Sequence, residues 1–229
     1  ARGKPRRCAE MVYEHLAQHP MQTCWVVLPA GQHRMAFQRH LGDFGGAMGA
    51  QIGTFSSFNH ALLARANCLV PVIPNDVLQR LVFSVIDSVY RESGLQYYGS
   101  MRAAPGFIAM LRDYFAELKR ALVFPEDFLS LFGEDSRLGE IGHLYQAYQV
   151  MLQKLDRADP EGVGWLAAET LEKNPDLLCK WKLVVIDGFD SFTPVQKKLL
   201  KLVSEQVERL IITLPGDEAK GRVVQRRFI

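Results

Sequence analysis

No apolar run in this sequence approaches the roughly 20 residues that a membrane-spanning helix needs, and its opening residues do not read as a secretory leader. No membrane partner is therefore expected. Cysteine is scarce. Cys8, Cys24, Cys68 and Cys179 form no CxxC pair and stand near no histidine at metal-ligand spacing, which argues against a disulfide frame and a zinc site. They read as reduced thiols of a cytoplasmic protein. His33 and His40 share one expected helix seven residues apart, with no carboxylate partner between them, so structural roles are expected for both. An excess of one charge is also missing: 27 Lys and Arg against 25 Asp and Glu leave a net charge of +2, so no overall field announces a nucleic-acid partner. Basic residues do gather at the two ends, Lys4, Arg6 and Arg7 at the start and Arg222, Arg226 and Arg227 at the finish; such runs read as solvated ends ahead of a DNA patch. There is no repeat and no low-complexity tract.

What is present is the composition of a globular α/β protein, 48% apolar and 23% charged over 229 residues, enough to bury a sizeable core. The chain opens on Ala1 and stops at Ile229 just after a strand-like segment, from which an excised piece of a longer protein is expected. A short helix is expected over Met11 to Ala17, followed by a buried strand at Trp25-Val26-Val27-Leu28 that Pro29 ends. Gln32 to Leu41 suits a helix, Gln51 to Thr54 a second strand, and Ser56 or Ser57 a cap on a helix carrying Phe58, Leu62 and Leu63.

From Pro71 to about Ala158 nothing convincing as a strand occurs. Pro74 opens a helix through Leu78, Leu81, Val82, Val85, Ile86 and Val89. Pro105 opens another through Ile108, Leu111, Phe115 and Leu118, and a third runs from Leu138 to Leu155 with Leu144, Tyr148, Met151 and Leu155 on one face. Beyond Trp165 to Leu171, a short helix, sheet character returns at Leu183 to Ile186 and at Leu210 to Leu214, with a helix from Pro194 to Val203 between them. Alternating strands and helices predict a parallel sheet with helices on both faces, and the helical block reads as an insertion into it. The expected division is 1–70 and 161–229 for the α/β part and 71–160 for the helical subdomain.

Ligands of such sheets collect at the carboxyl ends of the strands. The first junction, Pro29-Ala30-Gly31-Gln32-His33-Arg34, offers one glycine, no lysine and no hydroxyl. A phosphate loop needs closely spaced glycines for backbone N–H donors, a lysine for the β- and γ-phosphates and a Ser or Thr for magnesium, so this reads as a defunct ATP site in which only Arg34 could meet a phosphate. The second is Gly53-Thr54-Phe55-Ser56-Ser57-Phe58. By itself it is a glycine, a cap and packed aromatics. The third is Val185-Ile186-Asp187-Gly188-Phe189-Asp190-Ser191-Phe192-Thr193-Pro194-Val195-Gln196, where an acid at the end of a buried strand is placed to hold a magnesium–nucleotide complex.

The second and third junctions resemble those of Rep/UvrD-type helicases. These carry Gly-Thr-Phe-His-Ser-Phe after the first strand and helix, lying along the translocated single strand, and an Asp-Glu pair with a Gln nine positions after the Asp. Here Ser56 takes the His position, Asp187 and Gln196 keep the spacing, and Gly188 stands where the water-activating Glu would be. Asp-Gly-Phe followed by Phe-Thr-Pro and Gln is narrower and is similar to the N-terminal region of AddB-type subunits of ATP-dependent exonucleases, whose own motor is often degenerate. Trp165 to Leu171 fits the same pattern. The resemblance implies a P-loop NTPase-like first motor domain (1A) with an inserted all-helical subdomain (1B-like). It implies DNA, single-stranded or as ends, and a helicase/nuclease partner subunit as partners. It places a vestigial nucleotide site at Gly31, Arg34, Asp187, Gly188 and Gln196, with Asp187 as a weak magnesium ligand, and DNA contacts at Thr54, Phe55, Ser56, Ser57, Arg34 and Arg39.

This sequence departs from the family's pattern in three places. The phosphate-loop lysine that some members retain is missing. Leu214-Pro215-Gly216-Asp217-Glu218 is similar to a helicase element in which a Gln follows Gly-Asp, but none follows here, and no Asp…Glu-x-Lys nuclease constellation is read in this stretch. The expectation is a non-hydrolysing, helicase-like domain of a DNA exonuclease subunit that guides DNA ends in recombinational repair, without strongly bound cofactor. Two alternatives stand beside it: a weak Mg-ATP-dependent ATPase with Asp190 replacing the missing Glu, and a scaffold for a partner motor subunit.

Overall fold

A computed structural model describes residues 4–213, so the basic residues Arg222, Arg226 and Arg227 and the segment Leu214 to Glu218 lie outside the described part. Within it the chain divides into two compact units, one built from residues 4–68 and 167–213, the other from Leu69–Leu166.

The first unit is a four-stranded, wholly parallel sheet in the order β2-β1-β3-β4, formed by β1 (Thr23–Val27), β2 (Ala50–Gly53), β3 (Trp181–Ile186) and β4 (Arg209–Ile212). The near-continuous apolar runs of β1 and β3 occupy the centre, where both faces are covered. The more mixed β2 and β4 form the edges. Cys24, Val26, Leu183 and Val185 point to one face and pack with Ala9, Val12 and Leu16 of α1 (Lys4–Gln18) and Phe37 and Leu41 of α2 (Gly31–Gly42). Trp25 points to the other face, against Phe58 of α3 (Phe55–Arg65) at 5.3 Å. Helices thus cover both faces.

Two local details differ from the sequence expectations, and a third is an irregularity within the sheet. α1 starts at Lys4 rather than Met11, because Cys8, Ala9, Val12 and Leu16 make one buried stripe while Arg6 and Arg7 remain on the exposed side. The cap of α3 is Thr54, not Ser56 or Ser57; Ser57 is the reciprocal member of a capping box. The pairing of β1 with β3 is irregular between Thr23 and Cys24, whose partners are Trp181 and Leu183, so Lys182 is the extra residue and Trp181 joins Trp25, 5.7 Å away, instead of facing with Leu183.

The second unit is helical, with α4 (Asn75–Ser93), α5 (Pro105–Arg120), α6 (Pro125–Phe132) and α7 (Ser136–Lys154); the division between the units falls inside α8 (Gly162–Lys173). Its core joins Leu78, Val82, Val85 and Ile86 of α4 to Leu111 and Phe115 of α5 and Leu144 and Tyr148 of α7. Each such side chain contributes roughly 1.5–3 kcal/mol by leaving water. Pro74 is the N-cap of α4 rather than a first-turn residue, and Leu155 is 46% exposed just past α7, whose buried face runs instead through Tyr145 and Leu152. The eight-residue α6 was not evident in the sequence; two turns give too little periodicity, although Pro125 at its start and buried Phe128 mark it. The sole strand-like pairing described in this unit is an isolated bridge between Val72 and Ala158.

Candidate functional site

The register sets the geometry of the site. Val27 is level with Gly53 on one side and Ile186 on the other, and Ile186 with Ile212. The next residue of each strand, Leu28, Thr54, Asp187 and Thr213, therefore begins a loop at one common edge. Three backbone bonds continue the ladder there: Leu28 N–H to Gly53 (2.8 Å), Asp187 N–H to Val27 (3.0 Å) and Thr213 N–H to Ile186 (2.9 Å). The chain passes from β1 to β2 on one side and resumes with β3 on the other, so the topological switch point, where doubly wound sheets hold ligands, lies between β1 and β3.

At that point the two flanking loops touch. Gly188 has φ +84°, a conformation that favours glycine, and a Cβ there would lie 3.5 Å from Cδ of Pro29. Asp187 is 5% exposed, and the hydroxyl of Thr213, the residue after β4, donates to its Oδ1. The Gly188 N–H donates to the same hydroxyl at 3.4 Å. Thr213 was missed as a site residue in the sequence, although a hydroxyl straight after an apolar strand is a visible signal. Nearby, burial pushes the Cys8 thiol up to about 11, with the Asp187 charge adding to it and Arg7 opposing it. Arg7, read as part of a solvated end, is exposed on α1 and opposes at that thiol the effect of Asp187.

Gly31 is the first residue of α2, and a side chain there would point into open space. Arg34 lies in the first turn of α2 and Arg39 in its last; both are exposed, and the five-residue step sends them to different sides of the helix. Gln196 has a structural occupation: its Oε1 accepts the Thr193 N–H (3.0 Å), and Thr193 Oγ1 accepts the Gln196 N–H (3.3 Å), a capping box at the start of α9 (Pro194–Gln206). A magnesium–nucleotide complex fits these residues poorly. One Asp187 oxygen is engaged by Thr213, Gly188 supplies no carboxylate, and the Gly31 loop supplies neither ammonium nor hydroxyl. Among the described residues no three His, Cys, Asp or Glu side chains group to hold a metal, and no helix is long and apolar enough to cross a membrane.

The second junction is built tightly. The Thr54 N–H donates to Ser57 Oγ (2.8 Å), which donates to the Thr54 carbonyl (3.0 Å). A Cβ at Gly53 would come 2.2 Å from that Ser57 oxygen, so a larger residue there would displace the Ser57 side chain from the cap. Ser56 is exposed and its carbonyl bonds the His60 ring at 2.7 Å. Phe55 is buried and draws the second and third junctions together, meeting Phe189 at 5.1 Å and Phe192 at 6.3 Å, both half-buried. One turn on, Asn59 is buried and its Oδ1 has no hydrogen-bond partner among the described residues.

A family model described as the N-terminal part of AddB matches residues 1–227. The chain is also similar to proteins named as ATP-dependent helicase/deoxyribonuclease subunits of the B type. That of Alkaliphilus oremlandii is 28% identical over 176 residues, covering 73% of this chain and 15% of the relative. That of Thermoanaerobacter sp. strain X514 is 27% identical over 182 residues, 77% of this chain and 16% of the relative, and that of Alkaliphilus metalliredigens 24% over 223 residues, 93% and 19%. The chain thus spans a fifth or less of the length of these curated relatives. With a family match over nearly its whole length, and with a parallel sheet whose third junction reads Asp-Gly-Phe, the chain belongs to the AddB N-terminal family.

Proposed function

We propose that this chain is a non-hydrolysing, helicase-like domain of a helicase/deoxyribonuclease subunit and that it guides single-stranded DNA or DNA ends along the strand-end edge of its sheet. In this reading the sheet unit is a P-loop-type 1A domain, and Leu69–Leu166 is its 1B-like helical insertion. The observation that carries the reading is the switch point itself. Asp187 is buried and hydrogen-bonded by Thr213, and the position for a water-activating acid is a left-handed glycine against Pro29. Phosphoryl transfer depends on positioned charge around the nucleotide, and this edge supplies almost none of it.

The same edge has features that suit DNA. Thr54 to Ser57, the cap and first turn of α3, stands beside half-buried Phe189 and Phe192, and Arg34 is an exposed cation in the first turn of α2, with Arg39, also exposed, in the last turn of that helix. Such contacts act on phosphates and bases and are weakened by salt. Paired titrations test the proposal, calorimetry with Mg-ATP and anisotropy with a single-stranded oligonucleotide across a salt series. The expected result is no nucleotide heat and DNA binding that falls with salt, its slope reduced by about 1.4 in Arg34→Ala/Arg39→Ala at roughly 0.7 per phosphate. Tight nucleotide binding, or an unchanged slope in the double variant, would defeat it.

A further inference from the structure

We infer that the helical unit carries a second contact for single-stranded nucleic acid, an aromatic platform formed by Tyr90 and Tyr97, each with a guanidinium over one ring face, that of Arg102 and that of Arg137. The inference rests on the reading that this chain handles DNA, and it adds a site on different residues with a different chemistry, the stacking of bases.

The platform is built around the connection between α4 and α5. Gly94 (φ +73°) ends α4, and the chain then turns through Gln96, Tyr97 and Tyr98. The Glu140 carboxylate of α7 accepts the N–H groups of all three, Tyr97 at 3.0 Å and Tyr98 at 3.1 Å among them. Tyr98 stacks on Phe107 at 5.1 Å with 20° between the rings. A surface loop clamped by a carboxylate and anchored by a ring has already lost its conformational freedom, so a ligand need not order it.

The end of α4 and this turn leave two tyrosines at the surface. Tyr90 is 37% and Tyr97 36% exposed. The Arg102 guanidinium lies 4.3 Å from the Tyr90 ring centre and is held there by the Gly99 carbonyl (3.0 Å), while that of Arg137 lies 5.6 Å from the Tyr97 ring. Among the described residues neither guanidinium has a carboxylate within ion-pairing distance. Asp87 is paired with Arg91, and Asp135, which feels the Arg137 charge, caps α7. Tyr90 and Glu140 line one open hollow of about 720 Å³, and Tyr97 is the residue that Glu140 holds. Exposed rings flanked by guanidinia match a strand that offers both flat bases and phosphates. An acidic peptide would use the guanidinia but leave the rings idle, and a duplex keeps its bases stacked inside.

The test measures the affinity of the whole chain for an oligothymidine and for an abasic strand of equal length, at one salt concentration. The wild-type chain should prefer the strand with bases. Tyr97→Ala should lower affinity for oligothymidine by roughly tenfold, while leaving abasic binding and the salt slope unchanged; Tyr97→Phe should retain wild-type behaviour. Photocrosslinking to an iododeoxyuridine strand should label Tyr90 or Tyr97. If the wild-type chain binds no single strand, both this inference and the proposed function fail. If it binds but Tyr97→Ala preserves the preference for bases and no crosslink maps to residues 90–102, only the platform is overturned.

Discussion

Two carboxylates are almost equally hidden in this molecule, Asp187 in the sheet unit and Asp159 in the helical unit, 5% and 4% exposed. Asp159 is fully provided for. Lys119 Nζ lies 2.5 Å from its Oδ2, the Tyr148 hydroxyl donates to the same oxygen at 2.7 Å, and the Gly162 N–H donates to Oδ1 at 2.6 Å. Lys119, itself 1% exposed, lies 5.1 Å from the Tyr148 ring centre and 5.6 Å from that of Trp165. Burial pulls its ammonium below the ordinary lysine range, against the opposing pull of Asp159. Asp187, at the carboxyl end of β3, has a single neutral hydroxyl donor among the described residues. The comparison teaches that burial of an acid does not reveal its role. Asp159, with a cation and two further donors, cross-links the fold; Asp187 accepts, among the described residues, only from the hydroxyl of Thr213 at the strand-end edge of the sheet.

The sharpest way to break the comparison is at Lys119. Lys119→Met leaves a buried, uncompensated carboxylate and should cost about 3–5 kcal/mol in urea unfolding, whereas Lys119→Met/Asp159→Asn should recover most of that loss. A cost below about 1 kcal/mol for the single change would mean that the pair is not a cross-link. An intermediate effect is expected at the sheet edge: Thr213→Val withdraws the hydroxyl donor from Asp187 and should cost about 1–3 kcal/mol, while Asp187→Asn, which removes the charge instead, should cost less. Equal losses would place Asp187 in the same class as Asp159. The smallest effect belongs to Gln196→Ala, about 1 kcal/mol from loss of its half of the α9 cap. Calorimetry with Mg-ATP on the same variant should match the wild type; a change there would return Gln196 to a nucleotide role.

Much of the α/β part was legible because each strand is short and apolar and ends in a breaker. Trp25 to Leu28 stops at Pro29, and Leu183 to Ile186 at Asp187-Gly188. The long helices of the second unit could be read from one apolar stripe each, as in Leu78, Val82, Val85 and Ile86. What the sequence misread or left open has a common cause in short-range ambiguity. Thr54, Ser56 and Ser57 are all capping types within four residues, and only backbone geometry selects Thr54. Trp181 alternates with Leu183 in sequence, yet an irregular pairing with β1 turns it to the other face.

By itself the sequence determined the element types, the parallel α/β class and the chemistry missing from the strand ends, because periodicity, breakers and the absence of a lysine or hydroxyl after β1 are local properties. Only the tertiary structure decided which side chains meet. It brought Thr213 to Asp187 across 26 residues, Lys119 to Asp159 across 40 and Glu140 to the Gln96–Tyr98 backbone across more than 40. Such contacts depend on strand register and helix packing, which are set by the whole core at once and leave no mark in any single stretch of chain.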